Sequence, residues 1–154
     1  MQTKSTLVFI RTYEQFAHDL KTKVFDWITI DDGHESINHI YHLLHACNHR
    51  AKMFIPTSLM DTPGYCSWKD LIQIADYHDI ENHSHQHVNL QELSYKDVEY
   101  NIAMANEIIE KRLGRKPRYF VPPFNKWDAN VKEICDKLEL TIVTDRYDIL
   151  NTTP

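Results

Sequence analysis

Glycine is scarce, with 3 in a chain of 154 residues. Loops that cradle phosphates need closely spaced glycines so that backbone N–H groups can approach the anion, and no such run is present. That excludes nucleotide binding of the P-loop and dinucleotide kinds. Positive charge is not in excess either: 17 Lys plus Arg stand against 22 Asp plus Glu, a formal net charge of -5. Such a chain has no general attraction to phosphate backbones, so no nucleic-acid partner is expected. The three cysteines, Cys47, Cys66 and Cys135, form no C-x-x-C pair. Their odd number makes no closed disulfide framework, and a reducing compartment is the simpler reading. Long apolar runs are missing as well. Leu7-Val8-Phe9-Ile10 is only four residues long before Arg11, too short for a signal-peptide core or a bilayer span. The expectation is a cytoplasmic protein without a membrane segment.

What is present is ordinary globular composition, 42% hydrophobic and 25% charged. The length suits one domain over residues 1–154. Histidine is abundant at 10 residues, and imidazole is both a common metal ligand and a group that titrates near neutral pH. Short β-rich runs alternate with helical patterns. Strands are expected at Val24–Ile30, Met53–Ile55, Asp79–Glu81, Arg118–Val121 and Leu140–Thr144. Helices are expected at Glu35–Asn48, Trp68–Tyr77, Ser94–Leu113 and Asp128–Leu138. Ser94 with Asp97 resembles a capping box, and Gly114 supplies a stop. This alternation predicts an α/β fold of right-handed βαβ units around a parallel sheet or barrel. In such folds chemistry gathers at the carboxyl ends of the strands.

Two motifs lie there. Thr29-Ile30-Asp31-Asp32-Gly33 closes the first strand, and Gly33 permits a sharp turn. Two adjacent carboxylates repel unless a cation intervenes, one ligating it and the other remaining free as a base. A helix-capping pair is the alternative. His83-Ser84-His85-Gln86-His87 follows the third strand. His83 and His87 are four apart, so a helical turn would put both rings on one face as ligands of one zinc. Asp, His and His make three ligands with one position open to water, the pattern of a catalytic site. His42, His45 and His49, also at helical spacing, read as a solvated helix face.

Asp31-Asp32-Gly33, followed by Asn82-His83-Ser84-x-x-His87-x-Asn89-Leu90, resembles the polysaccharide deacetylase family, also called the NodB-homology domain or carbohydrate esterase family four. The resemblance runs from about residue 24 to 148. It implies a distorted or incomplete (β/α) barrel and metal-dependent removal of N-acetyl groups from an amino-sugar glycan. It also implies Asp31 as catalytic base, Asp32, His83 and His87 as metal ligands, and Ser84 as a brace of the ligand loop. One divalent metal is implied; the ligand set favours Zn²⁺, and Co²⁺, Ni²⁺ or Fe²⁺ suit the same residues. Zinc lowers the pKa of its water towards ~7.

The later motifs match in part. Where the family has Arg-Pro-Pro followed by Tyr or Phe, this chain has Val121-Pro122-Pro123-Phe124. Pro123 and Phe124 would line the substrate, with the Phe124 N–H as oxyanion donor, and Trp127 reads equally as a stacking platform for a sugar or as packing at a helix start. The Arg that orients the base is missing, and Arg118, an odd offset away, points to the opposite strand face. Asp145-Arg146-Tyr147-Asp148 resembles the fourth motif. The fifth, whose His is the general acid, has no counterpart before Pro154, which would make this a C-terminally shortened member. His34, a partner subunit or residues beyond Pro154 could supply the acid, with a surface or capping residue the plainer reading of His34, whereas His85 would point outward. A homo-oligomer could cover the sheet edges that an incomplete barrel exposes. Two alternatives accompany this reading: a weak or inactive metal-containing glycan-binding member, and a deformylase or amidase acting on a small molecule.

Overall fold

In the computed structural model, residues 4–7, 13–22, 27–144 and 147–148 are described. Seven strands form one sheet: β1 (Lys4–Leu7), β2 (Trp27–Asp31), β3 (Lys52–Ile55), β4 (Asp79–Asn82), β5 (Tyr119–Phe120), β6 (Thr141–Ile142) and β7 (Tyr147–Asp148). Their order is β6-β5-β4-β3-β2-β1-β7, and every neighbouring pair is parallel. Parallel neighbours need crossovers. The helices α1 (Tyr13–Thr22), α2 (Tyr41–Ala46), α3 (Trp68–Ile74), α4 (Tyr95–Leu113) and α5 (Ala129–Lys137) supply them.

The sheet is curled. Trp27 in β2 and Tyr119 in β5 stand three strands apart, about 14 Å in a flat sheet. Their ring centroids are 5.4 Å apart. Inside the curl they pack against Phe54, Val121 and Val143, and Lys52 Nζ lies 5.3 and 4.8 Å from the two ring centroids. Successive strand residues face opposite sides. Phe54 therefore points inward, while its neighbours Met53 and Ile55 join Ile28, Ile30 and Ile80 against Leu44, Leu71 and Ile74 of the helical layer. A second cluster packs α4 and α5 around Phe120 through Val98, Ile102, Val131 and Ile134. Among the described residues β6 and β7, at the two ends of the sheet order, do not pair with each other. The architecture is the expected incomplete (β/α) barrel.

Several elements differ from expectation. The elements β1, α1 and β7 come in addition to the expected ones. Lys4-Ser5-Thr6-Leu7 carries one apolar residue and so little strand signal; its pairing along four residues of β2 makes it a strand. The single helix expected over 35–48 is a 3-10 turn, Glu35–His39, followed by the shorter α2. The break falls at Ile40, whose φ of -120° leaves the helical region. With that break Ile37, Ile40, Tyr41 and Leu44 are all buried. By contrast α4 begins and ends as read: Ser94 Oγ accepts the Asp97 N–H at 3.2 Å, and Gly114 closes the helix at φ +73°. His42 and His45 are exposed and rest on Tyr77, with ring centroids 5.7 and 4.8 Å away. All three cysteines are free thiols. No helix among the described residues is long and apolar enough to cross a membrane. Val24 to Asp26 of the expected first strand, and Asp145 and Arg146 of the fourth motif, lie outside the described residues.

Candidate metal centre

β2 ends at Asp31 and β4 at Asn82, so Asp32 and His83 both emerge at the carboxyl edge of the sheet. β3 stands between these strands, and two of its carbonyls anchor the two loops. Phe54 O accepts the Asp32 N–H at 2.9 Å, and Ile55 O accepts the His83 N–H at 3.2 Å. The side chains meet over this edge. His83 Nε2 and His87 Nε2 lie 3.1 and 3.2 Å from the same oxygen, Asp32 Oδ1. One ligand atom from each of the three residues falls within 4.8 Å of the other two.

The chemistry of the donor set fits a cation. His83 is buried, and its Nδ1 donates to the Val121 carbonyl at 2.6 Å. That hydrogen bond fixes the ring and turns Nε2 towards Asp32, as the outer partner of a metal-bound imidazole does. Burial pulls the His83 pKa down, but the hydrogen bond to Asp32, the charges of Asp31 and Asp32 and the Val121 carbonyl outweigh it, so the net shift is upward. Burial likewise pushes the Asp32 carboxyl up, and the hydrogen bonds and charges of His83 and His87 override it. Asp32 is held well below the usual carboxylate range. The two imidazole nitrogens and the carboxylate oxygen thus converge on one point, a donor set that suits a divalent cation.

The local backbone is unusual. Asp32, Ser84, His87 and Phe124 are non-glycine residues in the left-handed region, at φ 76°, 68°, 54° and 60°. Such residues cost about 1–3 kcal/mol each and cluster at functional sites. These angles correct one premise of the sequence reading. His83 and His87 do not share a helix face; residues 83–87 form a loop. A left-handed Ser84 turns the chain so that the two rings approach with centroids 4.9 Å apart. Ser84 Oγ accepts the His87 N–H at 3.2 Å.

The sequence profile described as Polysaccharide deacetylase matches residues 20–143. The chain belongs to the polysaccharide deacetylase family. A chitooligosaccharide deacetylase of Azorhizobium caulinodans is 34% identical over 70 residues, 45% of this chain and 33% of that protein. A chitin deacetylase of Amylomyces rouxii is 30% identical over 118 residues, 75% of this chain and 27% of that protein. The matched part of this chain therefore spans a third or less of these curated relatives. Among solved structures, IcaB from Ammonifex degensii superposes with a TM-score of 0.81 at 17% identity, covering 97% of this chain and 84% of that one. At that identity the likeness shows the fold.

The other candidate positions divide in two. Asp31 lies at the site: it is 7% exposed at the end of β2, and its charge acts on His83. Phe124 lies there too, its exposed ring 5.0 Å from that of His87, with Pro123 buried before it. Val121, at the position of the family's Arg, is buried among Phe54 and Val143, and its carbonyl holds His83. Arg118 sits at the other end of β5, its guanidinium carbon 5.9 Å from the Tyr119 ring centre. Trp127 is 38% exposed and lines a separate groove with Lys132, Asp136 and Ile142. His34 caps the 3-10 turn, its Nδ1 accepting the Ser36 N–H at 3.2 Å. His85 is 2.8 Å from Thr57 Oγ1 through Nδ1, with its ring against Tyr100. Sequence reasoning missed the asparagines beneath the histidine loop, Asn101 and Asn106. Their signal was two amides on the apolar stripe of α4, between Val98, Ile102, Ala105 and Ile109.

Proposed function

We propose that the protein is a metal-dependent hydrolase that removes N-acetyl groups from the amino sugars of a poly- or oligosaccharide. The observation that carries this reading is the convergence of Asp32, His83 and His87 within 4.8 Å of one another, beside a second carboxylate, Asp31. Asp32, His83 and His87 would hold one divalent metal, with zinc favoured by two imidazoles and a carboxylate. Bound there, the metal supplies Lewis-acid polarisation of the acetyl carbonyl and a lowered pKa of water. Asp31, outside the ligand set, accepts the proton of the attacking water. The Phe124 N–H donates to the oxygen on which negative charge develops, a contact whose loss typically costs about 10²–10³ in rate. Pro123 fixes the backbone ahead of that donor, and Trp127, on its own groove with Lys132 and Ile142, offers an aromatic face to a sugar beyond the reacting one. His34 is the proposed acid for the departing amine, a role that requires it to leave its cap on the 3-10 turn. One domain over residues 1–154 and a glycan partner complete the proposal.

The test uses N-acetylated chito-oligosaccharides and the metal-loaded protein. Acetate release that disappears in Asp31→Asn, while one equivalent of metal persists, is the expected result. Release unchanged in that variant would remove Asp31 as the base. A second reading, a glycan-binding member without turnover, draws on Val121: an apolar, buried side chain stands where the family places the Arg that orients the base. Tight oligosaccharide binding with no acetate from the metal-loaded wild type would select it.

A further inference from the structure

His83 is held from three directions, by β4, by Ile55 O and by Val121 O. His87 sits at the far end of the loop, and none of those contacts reaches it. That end is held by Ser84 Oγ, which accepts the His87 N–H at 3.2 Å, and by a helix. Asn101 of α4, 1% exposed, accepts the Gln86 N–H on Oδ1 at 3.0 Å and donates from Nδ2 to Gln86 Oε1 at 3.2 Å. Its Nδ2 also donates to Asp97 O at 3.1 Å, which fixes the amide against the helix one turn earlier. The near end of the loop is held in the same way by Asn82. Its Oδ1 accepts the Ser84 N–H at 2.7 Å, and its Nδ2 donates to Ile102 O at 2.9 Å and Asn106 Oδ1 at 2.7 Å. Two buried amides thus clamp the loop on either side of its turn, and both are anchored on α4.

Resting on the metal-centre reading above, we infer that Asn101 is the positioning residue for His87. Gln86 is the residue before His87, and His87 adopts a left-handed φ of 54°. A non-glycine residue leaves that region unless its neighbours are held. Asn101 does this by binding the residue next to it from a rigid 19-residue helix. The consequence is selective. Without the Asn101 amide, Asp32 and His83 keep their places and His87 alone loosens, so one of three ligands is lost in part.

The test is a double-mutant cycle read by metal affinity. Zinc dissociation constants are measured by competition with a chromophoric chelator, and cobalt-loaded absorption spectra report the ligand geometry. Urea unfolding of the metal-free proteins reports the fold. Asn101→Ala is expected to weaken zinc binding about 10–100-fold, the usual effect of removing an outer-shell partner, and to alter the cobalt spectrum. In a His87→Ala background the same substitution is expected to change affinity less than about twofold. Gln86→Ala, at an exposed position, deletes only the Oε1 contact, one neutral hydrogen bond, and is expected to weaken binding about threefold. It carries the test if Asn101→Ala does not fold. Wild-type affinity in both variants overturns the inference, and so does an equal loss with and without His87, which would mark a merely structural amide. Failure of the wild type to bind zinc or cobalt would instead overturn the metal centre, and this inference with it.

Discussion

Gly33→Ala tests the turn that delivers Asp32. The residue has φ +64°, and a Cβ there would lie 2.6 Å from Met60 Cε, 2.9 Å from Met60 Sδ and 3.3 Å from Ile55 Cγ2. Two costs follow. Holding an alanine in the left-handed region costs about 1–2 kcal/mol, and displacing a packed side chain costs about 1–3 kcal/mol. Met60 is only 4% exposed, but the colliding atoms are the flexible end of its side chain, so a small shift relieves the contact and the lower half of that range applies. The sum is about 3 kcal/mol, which for a domain of this size lowers Tm by about 6–12 °C. Thermal and urea unfolding of the metal-free protein measure it. Repeating the substitution in Met60→Ala separates the costs, because the collision vanishes and the backbone term stays. The expected coupling is about 1 kcal/mol. A Gly33→Ala protein within about 0.5 kcal/mol of wild type would refute the reasoning, since surface-like tolerance has that size. A loss unchanged without Met60 would leave only the backbone half standing. Zinc affinity should fall in parallel, because Gly33 O accepts the Cys66 N–H at 2.8 Å and a shifted residue 33 carries Asp32 with it.

Zinc at about 100 times its dissociation constant should stabilise the wild type by about 2.7 kcal/mol, or about 5–10 °C in Tm, and should leave Asp32→Ala and His87→Ala unmoved. A shift shared by all three proteins in differential scanning fluorimetry would place the metal elsewhere. His78 gives a pH dependence. It is buried, its Nδ1 accepts the Ala51 N–H at 3.0 Å, and its Nε2 donates to Tyr41 O at 2.8 Å, so the ring is held neutral. Burial pulls its pKa below the usual 6.5. Its contribution is therefore complete above pH 6.5 and is lost as pH falls from there towards the lower folded value. Urea midpoints should decline over that window, and the decline should be shallower in His78→Asn; an equal slope would assign the effect to other groups. Glu81 is buried with Oε1 accepting the Arg118 and Tyr119 N–H groups at 2.8 and 3.1 Å. Glu81→Ala leaves both donors without a partner and should cost about 2–4 kcal/mol, whereas Glu81→Gln keeps an acceptor and should cost less. Equal urea midpoints for the two variants would show that the carboxyl does not carry β5.

Much of the barrel is legible locally, because strand and helix periods differ and the caps are chemical. The Ser94 cap, the Gly114 stop and the apolar runs Met53-Phe54-Ile55 and Trp27-Ile28-Thr29-Ile30 each identify an element without outside help. β1 and β7 are not legible. Lys4-Ser5-Thr6-Leu7 becomes a strand through the neighbour it pairs with, and Tyr147-Asp148 becomes one through pairing with β1. The metal centre is legible as a set of residues and not as a shape. Spacing four apart suggested a helix face for His83 and His87, yet left-handed Ser84 and His87 bring the rings together in a loop. Backbone partners such as Val121 O carry no sequence signal, because every residue has a carbonyl.

By itself the sequence determined which side chains can ligate, where strands end and that those ends carry Asp31, Asp32 and His83, since these follow from residue type and local period. Tertiary structure alone decided that Asp32 and His83, 51 positions apart, share a contact, and that α4 clamps the histidine loop through Asn101. Each of those depends on how the curled sheet brings separate strands and α4 together. Long-range proximity of this kind is a property of packing, which no local pattern contains.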